Sequence, residues 1–254
     1  MSNRNFGTRR DAPDVRDHVL LLSARKRHPE NIDLRGGAPI YNQKSLNSCS
    51  ANAIAAAIRF DHIRSGGTLN PSRLFLYFNE RSMEGCVPKN VPVSLRDGYK
   101  TLARVGVCGE EHWPYRIRHF AKQPPRECYD HAAAHRAIRY MRLKQDLTHI
   151  RGCLADGYPF TAGISVYSSF EAEKTKRTGA VPMPKRGEKL LGGHAVLVVG
   201  YDDRQRHVIV QNSWGSEWGA GGYCFLPYDF ILDGDHAWDL WTVRRMNDDP
   251  GRPR

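Results

Sequence analysis

No stretch of the sequence is apolar for long enough to cross a membrane. A signal peptide is lacking as well, because the apolar residues at 19–22 are few and follow a charged stretch. The formal net charge is +11, yet the lysines and arginines are scattered and form no long basic block. No glycine-rich phosphate loop precedes a helix. We therefore expect neither a membrane nor a nucleic acid as a partner. We expect a protein that is cytoplasmic, or exported without an N-terminal signal peptide.

Cysteine is too sparse for a dense disulfide framework. The 254 residues include six cysteines, at positions 49, 86, 108, 128, 153 and 224. If one of them is catalytic, five remain, so at least one of those is free, and a fully reduced set fits equally well. A metal-ligand pattern is incomplete: Cys128, His131 and His135 share one predicted helix face but lack a clear fourth ligand. We predict no metal site and no cofactor.

Helical patterns fill the first half of the chain and strand patterns most of the second, which predicts an α+β protein with two lobes. The predicted helices are at 51–63, from Asn70-Pro71 onward, from Ser94 to Gly106, near 127–136 and at 146–155. The predicted strands are at 138–143, 160–166, 194–201, 207–212, 223–226 and 238–243, with a loop at 170–190. We assign residues 1–33 to an N-terminal arm, 34–126 to a helical lobe, 127–247 to a β-rich lobe and 248–254 to a disordered tail.

Cys49 lies in the first turn of the helix whose sequence is the most uniformly apolar. The run that follows it contains strong helix formers with apolar residues on every side, which predicts a buried helix. The free N–H groups and the dipole at a helix start favour an anion, so they lower the pKa of a thiol there. On this stretch alone, an ordinary buried core cysteine is an equally good interpretation.

Three polar residues could complete a nucleophilic site with this thiol. His194 stands at the mouth of a predicted strand, and Asn212 ends the partner strand, so the Asn212 amide oxygen could hold the imidazole by its N–H. Gln43, six residues before Cys49, could donate to the same point as the Cys49 backbone N–H and form an oxyanion hole with it. Each residue alone has a structural alternative, since a histidine at a strand start is usually structural and an asparagine there often serves a turn.

Together these residues and the motifs around them resemble the papain family of cysteine peptidases. The motifs follow the family's order of Cys, His and Asn: Gln43…Ser48-Cys49, then Gly193-His194-Ala195…Gly200-Tyr201, then Asn212-Ser213-Trp214-Gly215…Trp218-Gly219…Gly221-Gly222-Tyr223. The resemblance covers about residues 33 to 245. It implies a papain-like fold, with a helical left lobe, an antiparallel β-barrel-like right lobe and an active site in the cleft between them.

The resemblance also implies roles for individual residues. Cys49 would be the nucleophile, His194 the general base and acid, Asn212 the residue that orients His194, and Gln43 an oxyanion donor; Trp214 would shield the bond between Asn212 and His194. The implied substrate-binding residues are Asn47, Ser48, Val91, Pro92, Gly193 and Trp214. Val91 and Pro92 stand near the place of the family's glycine pair, so they narrow the groove, and Pro92 has no N–H to donate to a substrate.

Two further features resemble one branch of the family. Residues 10–17 are similar to the short leader of compact bacterial members of the xylellain-like type. Such a leader would lie across the cleft as an inhibitory propeptide; a plain disordered tail is the alternative. Leu46 stands where plant and animal members carry a bridging cysteine, so we expect that disulfide to be absent.

The sequence therefore predicts a cysteine peptidase that hydrolyses peptide bonds through a Cys-His-Asn thiolate mechanism and is held latent by its arm. We expect a peptide or protein substrate and a monomer. Two alternatives remain open: an acyltransferase or isopeptidase that acts on a particular protein, and a non-catalytic binding module with the same fold.

Overall fold

Helices and strands segregate along the chain largely as the sequence patterns predict. The structure is a computed structural model that describes residues 7–22 and 27–247, so the predicted tail at 248–254 lies outside the described residues. The helices are α1 (Cys49–Arg64), α2 (Arg73–Met83), α3 (Leu95–Arg104), α4 (Arg126–Ala132), α5 (Leu147–Ala155), α6 (Glu173–Thr178) and α7 (Tyr228–Leu232). The strands are β1 (Asn31–Asp33), β2 (Arg136–Arg142), β3 (Phe160–Tyr167), β4 (Leu190–Asp202), β5 (His207–Gln211), β6 (Tyr223–Pro227) and β7 (Ala237–Asn247).

Helix α1 is the centre of the helical lobe and is buried on nearly every side. Its many alanines leave room for close neighbours, and it packs against α2, α3 and the strands β4 and β7. The helix ends at Arg64, and Gly66 follows in the left-handed region with a φ of 78°. The predicted helix at 51–63 is confirmed, and it places Cys49 where the helices meet the sheet.

Side-chain caps fix the starts of three helices. Asp97 donates its backbone N–H to the Ser94 hydroxyl at α3, and His149 donates to Asp146 at α5, as the sequence predicts. At α2 the predicted start at Asn70-Pro71 is wrong, because the cap is Ser72, whose hydroxyl accepts from the Phe75 N–H. No helix in the described ranges combines the length and apolar character that a membrane crossing requires.

The segment at 170–190, predicted to be a loop, contains α6. This helix ends at Gly179, which has a φ of 71°. A Cβ at Gly179 would lie 2.5 Å from the Tyr223 carbonyl oxygen, so only glycine fits against β6 there. The high density of lysine and glycine hid this short helix from sequence reasoning.

The β-rich lobe is built on one antiparallel sheet with the strand order β2-β7-β3-β4-β5-β6, and β1 pairs with β4 beside this path. The predicted α+β fold is confirmed, and the described sheet remains open between β2 and β6 instead of closing into a barrel. Alternate residues of β4 serve two hydrophobic cores: Ala195, Leu197 and Val199 join the core of the helical lobe, whereas Val196 and Val198 join the core on the other face.

The described part of the N-terminal arm runs along both lobes. Leu20 is buried and donates its N–H to the Arg142 carbonyl, while Arg142 donates to the His18 carbonyl, so the arm extends the sheet beside β2. Nearer its start, Arg9 forms a parallel bridge with Ser94, just before α3. The arm therefore reaches the line where the two lobes meet.

Candidate active site

Cys49 is fully buried, and its thiol donates a hydrogen bond to the Gly7 carbonyl oxygen at an S–O distance of 2.9 Å. Burial raises the pKa of this thiol to about 12, although the Ala195 backbone N–H opposes the shift. From the sequence, the position of Cys49 at the start of α1 predicts a lowered pKa for its thiol. The structure differs because the arm lies on the sulfur and burial outweighs the helix dipole.

His194 and Asn212 lie together on neighbouring strands, as the motif predicts. Strand β4 carries His194, and Asn212 directly follows β5; the His194 Nε2 lies 2.8 Å from the Asn212 Oδ1. Because an amide oxygen only accepts, this bond places the proton on Nε2. The same Oδ1 also accepts from the Ser213 N–H at 2.8 Å, which fixes the amide. The Trp214 ring lies over the imidazole with the ring centroids 4.9 Å apart.

Gln43 links the two lobes beside Cys49. Its Nε2 donates to the Leu46 carbonyl at 2.9 Å, and its Oε1 accepts from the Ser213 hydroxyl at 2.7 Å. Its backbone N–H donates to the Ser213 carbonyl. An amide nitrogen carries two N–H donors, so Gln43 can serve an oxyanion with the second while the first holds its position.

Tyr115 is a residue of this site to which sequence reasoning gives no role. Its hydroxyl donates to the Gln43 carbonyl at 2.9 Å and lies 2.6 Å from the Ser48 hydroxyl. Asn52 donates to Ser48 in turn. Ser48, predicted to bind substrate, is therefore buried in a hydrogen-bonded chain that holds the Gln43–Cys49 loop. The sequence shows the Pro114-Tyr115 pair, but it does not show that Tyr115 bonds to Gln43, which lies 72 residues earlier.

The remaining residues predicted to bind substrate lie around the start of the arm. Asn47 donates its N–H to Asn90, which ties the loop before α1 to the loop that contains Val91. The Val91 carbonyl accepts from the Tyr77 hydroxyl, which ties the second loop to α2. A Cβ on Gly7 would lie 2.7 Å from the Pro92 Cβ, so only glycine fits between Pro92 and Cys49. On the other lobe, a Cβ on Gly193 would lie 2.6 Å from the Thr8 carbonyl oxygen. Residues 7 and 8 thus occupy the predicted groove.

A charged cluster fastens the arm below this groove. Asp11 accepts from the guanidinium of Arg142 and from the indole of Trp241, both at 2.8 Å. Asp17 accepts from Arg96 at 2.6 Å and from Arg142 at 3.0 Å. The leader motif noted in the sequence therefore has a structural role, since its carboxylates hold residues 7–17 against both lobes.

A family model for papain family cysteine proteases matches residues 28–229. The chain belongs to the papain family of cysteine proteases. The predicted family and enzyme class are therefore confirmed, and the roles of Cys49, His194 and Asn212 stay predictions.

Two relatives and one solved structure show how far the similarity of this cysteine peptidase extends. An uncharacterized peptidase C1-like protein of Acanthamoeba polyphaga mimivirus is 36% identical over 97% of this chain and 88% of its own length. Chymopapain of Carica papaya is 30% identical over 78% of this chain, which spans 55% of that protein. The crystal structure of xylellain, a cysteine protease from Xylella fastidiosa, has a TM-score of 0.89 at 37% identity and covers 96% of this chain and 97% of its own.

The six cysteines of the peptidase form no disulfide. Leu46 is buried in the core of the helical lobe. The residues of the incomplete pattern Cys128, His131 and His135 do not come together, because the His135 ring lies beside His62. The described residues bring a different set together, since His112, Glu127 and His131 have ligand atoms within 4.8 Å of one another.

Proposed function

We propose that this cysteine peptidase hydrolyses peptide bonds through a Cys49–His194–Asn212 mechanism and that its N-terminal arm holds it latent. The observation that carries the proposal is the bond from the Cys49 thiol to the Gly7 carbonyl, made beside an assembled His194–Asn212 pair. The chain thus has the parts of a nucleophilic site together with a segment of its own that covers them.

The mechanism follows from the donors and acceptors around the sulfur. When the arm leaves, Cys49 regains solvent, and the thiol proton passes to His194 Nδ1 to give a thiolate and an imidazolium. The thiolate attacks the scissile carbonyl carbon, and the Cys49 N–H and the Gln43 amide donate to the oxygen that becomes negative. His194 then protonates the leaving amine as the C–N bond breaks. Finally it accepts a proton from water, which attacks the thioester; the C–S bond breaks, the acid is released, and the thiolate–imidazolium pair is restored.

Asn212 and Trp214 act on the histidine in this scheme. The Asn212 Oδ1 accepts from Nε2, which leaves Nδ1 as the nitrogen that exchanges a proton with sulfur. The Trp214 ring, with Trp218 packed edge-on at 4.8 Å, excludes water from that hydrogen bond. A bond shielded in this way keeps the imidazole in one orientation through both proton transfers.

The arm inhibits through the atom that it presents to the sulfur. Gly7 directs its carbonyl oxygen at the sulfur and accepts the thiol proton's hydrogen bond, so the sulfur remains a neutral thiol. A neutral thiol is a poor nucleophile. The carboxylates of Asp11 and Asp17 hold this arrangement in place from both lobes.

The arm also supports an extended peptide as the substrate. Arg9 pairs with Ser94 through the backbone, and the Thr8 hydroxyl donates to the Val93 carbonyl at 3.1 Å. An extended main chain therefore fits beside Val91 and Pro92, where the sequence suggested a narrowed groove. Such a peptide needs a small residue opposite Pro92, where the arm has Gly7.

Product analysis tests this proposal. We expect the full chain with Gly7→Val, which displaces the arm, to convert peptides into pairs of fragments whose masses sum to the peptide plus one water. The same chain with Cys49→Ala should leave the peptides intact. A fragment joined to an added amine or to a protein lysine would show acyl transfer instead, and uncut peptides in a chain whose Cys49 reacts with an epoxide would contradict the proposed hydrolysis.

A further inference from the structure

The arm brings a positively charged side chain to an acidic residue on the groove wall. Two residues after Gly7, the guanidinium of Arg9 forms an ion pair with the Glu84 carboxylate. Glu84 caps the C-terminus of α2. Because Arg9 also pairs with Ser94 through its backbone, the ion pair belongs to an extended chain lying along the groove.

The two partners of this ion pair differ in exposure. The Glu84 side chain is 15% exposed, whereas the Arg9 side chain is 56% exposed. Burial raises the pKa of Glu84, and Arg9 opposes that shift. The Glu84 Oε1 is buried and has no hydrogen-bond partner among the described residues. Removal of Arg9 would therefore leave a largely buried carboxylate without a cation.

The charges around Glu84 do not replace Arg9. Glu80 lies one helical turn earlier, where burial raises the pKa of its carboxyl to about 8, and the carboxylate of Asp97 on α3 raises the pKa of Glu84 further. Arg81 is close in sequence, but its guanidinium donates to the carbonyls of Val87, Lys89 and Phe120. The wall at Glu84 is thus acidic once the arm has left, which favours a cationic occupant.

We propose that Glu84 is a specificity-determining residue that binds a basic side chain of the substrate where Arg9 binds in the latent chain. This inference rests on the proposed function, because it requires a substrate to replace the arm. A substrate that pairs with the backbone at 93–94 extends a side chain over Glu84. The residue that carries this side chain is two positions along the substrate from the residue at Cys49. Arginine restores the ion pair there, glutamine leaves the carboxylate unpaired, and glutamate repels it. Arginine is preferred over lysine because its planar fork can donate twice to one carboxylate.

The test uses the full chain with Gly7→Val and pairs of peptides that differ only by arginine or glutamine at one position. The position is moved along both sides of the scissile bond. At one position we expect kcat/KM to be about tenfold higher for the arginine peptide, the size of effect expected for a hydrogen bond to a charged group. Glu84→Gln should remove this preference, and Glu84→Lys should reverse it towards a glutamate peptide.

Glu127→Gln is the matched control, because Glu127 is an exposed carboxyl outside the groove, 77% exposed on α4. It should leave the arginine preference intact. A chain that cleaves peptides without any such preference, or one whose preference survives Glu84→Gln, overturns the role of Glu84 and leaves the proposed hydrolysis standing. A chain that neither reacts with an epoxide nor cleaves any peptide overturns both.

Discussion

Replacing Gly7 by valine in the full chain is expected to raise the rate at which a thiol-directed epoxide labels Cys49 by at least about tenfold. A Cβ at position 7 would lie 2.7 Å from the Pro92 Cβ and 2.9 Å from its Cγ, and the proline ring is rigid. The cheapest relief is for residues 7–10 to leave the groove while Asp11 and Asp17 stay bound. The sulfur then becomes accessible, and mass spectrometry of the labelled peptide measures the rate.

Gly234→Val is the matched control for this variant. A Cβ at Gly234 meets no atom within 4 Å, so the same substitution there should leave labelling at the wild-type rate. If Gly7→Val and the wild-type chain label equally fast, the arm does not limit access to Cys49 and the latency proposal is wrong. Labelling that rises equally in the control would point to general loosening of the fold instead.

Removing the nucleophile is expected to have the largest effect. In the Gly7→Val chain, Cys49→Ala should abolish epoxide labelling at position 49 and reduce peptide hydrolysis on the order of a thousandfold or more. The reason is that the thioester forms on the Cys49 sulfur, whereas the Cys153 and Cys224 thiols are buried in the core of the β-rich lobe. Rates of peptide cleavage over the same substrate set measure the loss.

Cys153→Ala separates chemistry from folding. Cys153 is fully buried on α5, and burial raises the pKa of its thiol to about 11, so it resembles Cys49 in environment but not in position. We expect hydrolysis to persist in this variant. Equal biological effect of the active chain and its Cys49→Ala form would instead favour the non-catalytic binding module.

The sequence predicts the proposed catalytic residues because their chemistry is coupled to local patterns. The uniformly apolar run after Cys49 forms a helix wherever it is buried, and two short strands around a turn place His194 near Asn212. The resemblance to the family's motifs was needed to predict that the helix after Cys49 and the hairpin of His194 and Asn212 meet.

The features that the sequence did not predict share a physical cause, because each depends on a contact between residues that are far apart in the chain. Burial raises the pKa of Cys49, whose thiol bonds to an arm residue 42 positions earlier, and nothing in the first turn of α1 indicates that burial. The role of Tyr115 depends on Gln43, and the roles of Asp11 and Asp17 depend on Arg96 and Arg142. Each of these residues is polar and could as well be solvated, so its partner appears only in three dimensions.

The central claim is that the arm keeps Cys49 a neutral thiol, and the pH dependence of its labelling tests this most directly. In the wild-type chain, where burial raises the pKa of Cys49 to about 12, the labelling rate should be low and rise steadily with pH across the neutral range and above it. In the Gly7→Val chain the rate should be higher and reach a plateau near neutral pH, as a thiolate–imidazolium pair requires. Cys86, the least buried of the six cysteines, is present in both chains as an internal reference. A wild-type chain with the same neutral plateau and rate as Gly7→Val would contradict the account.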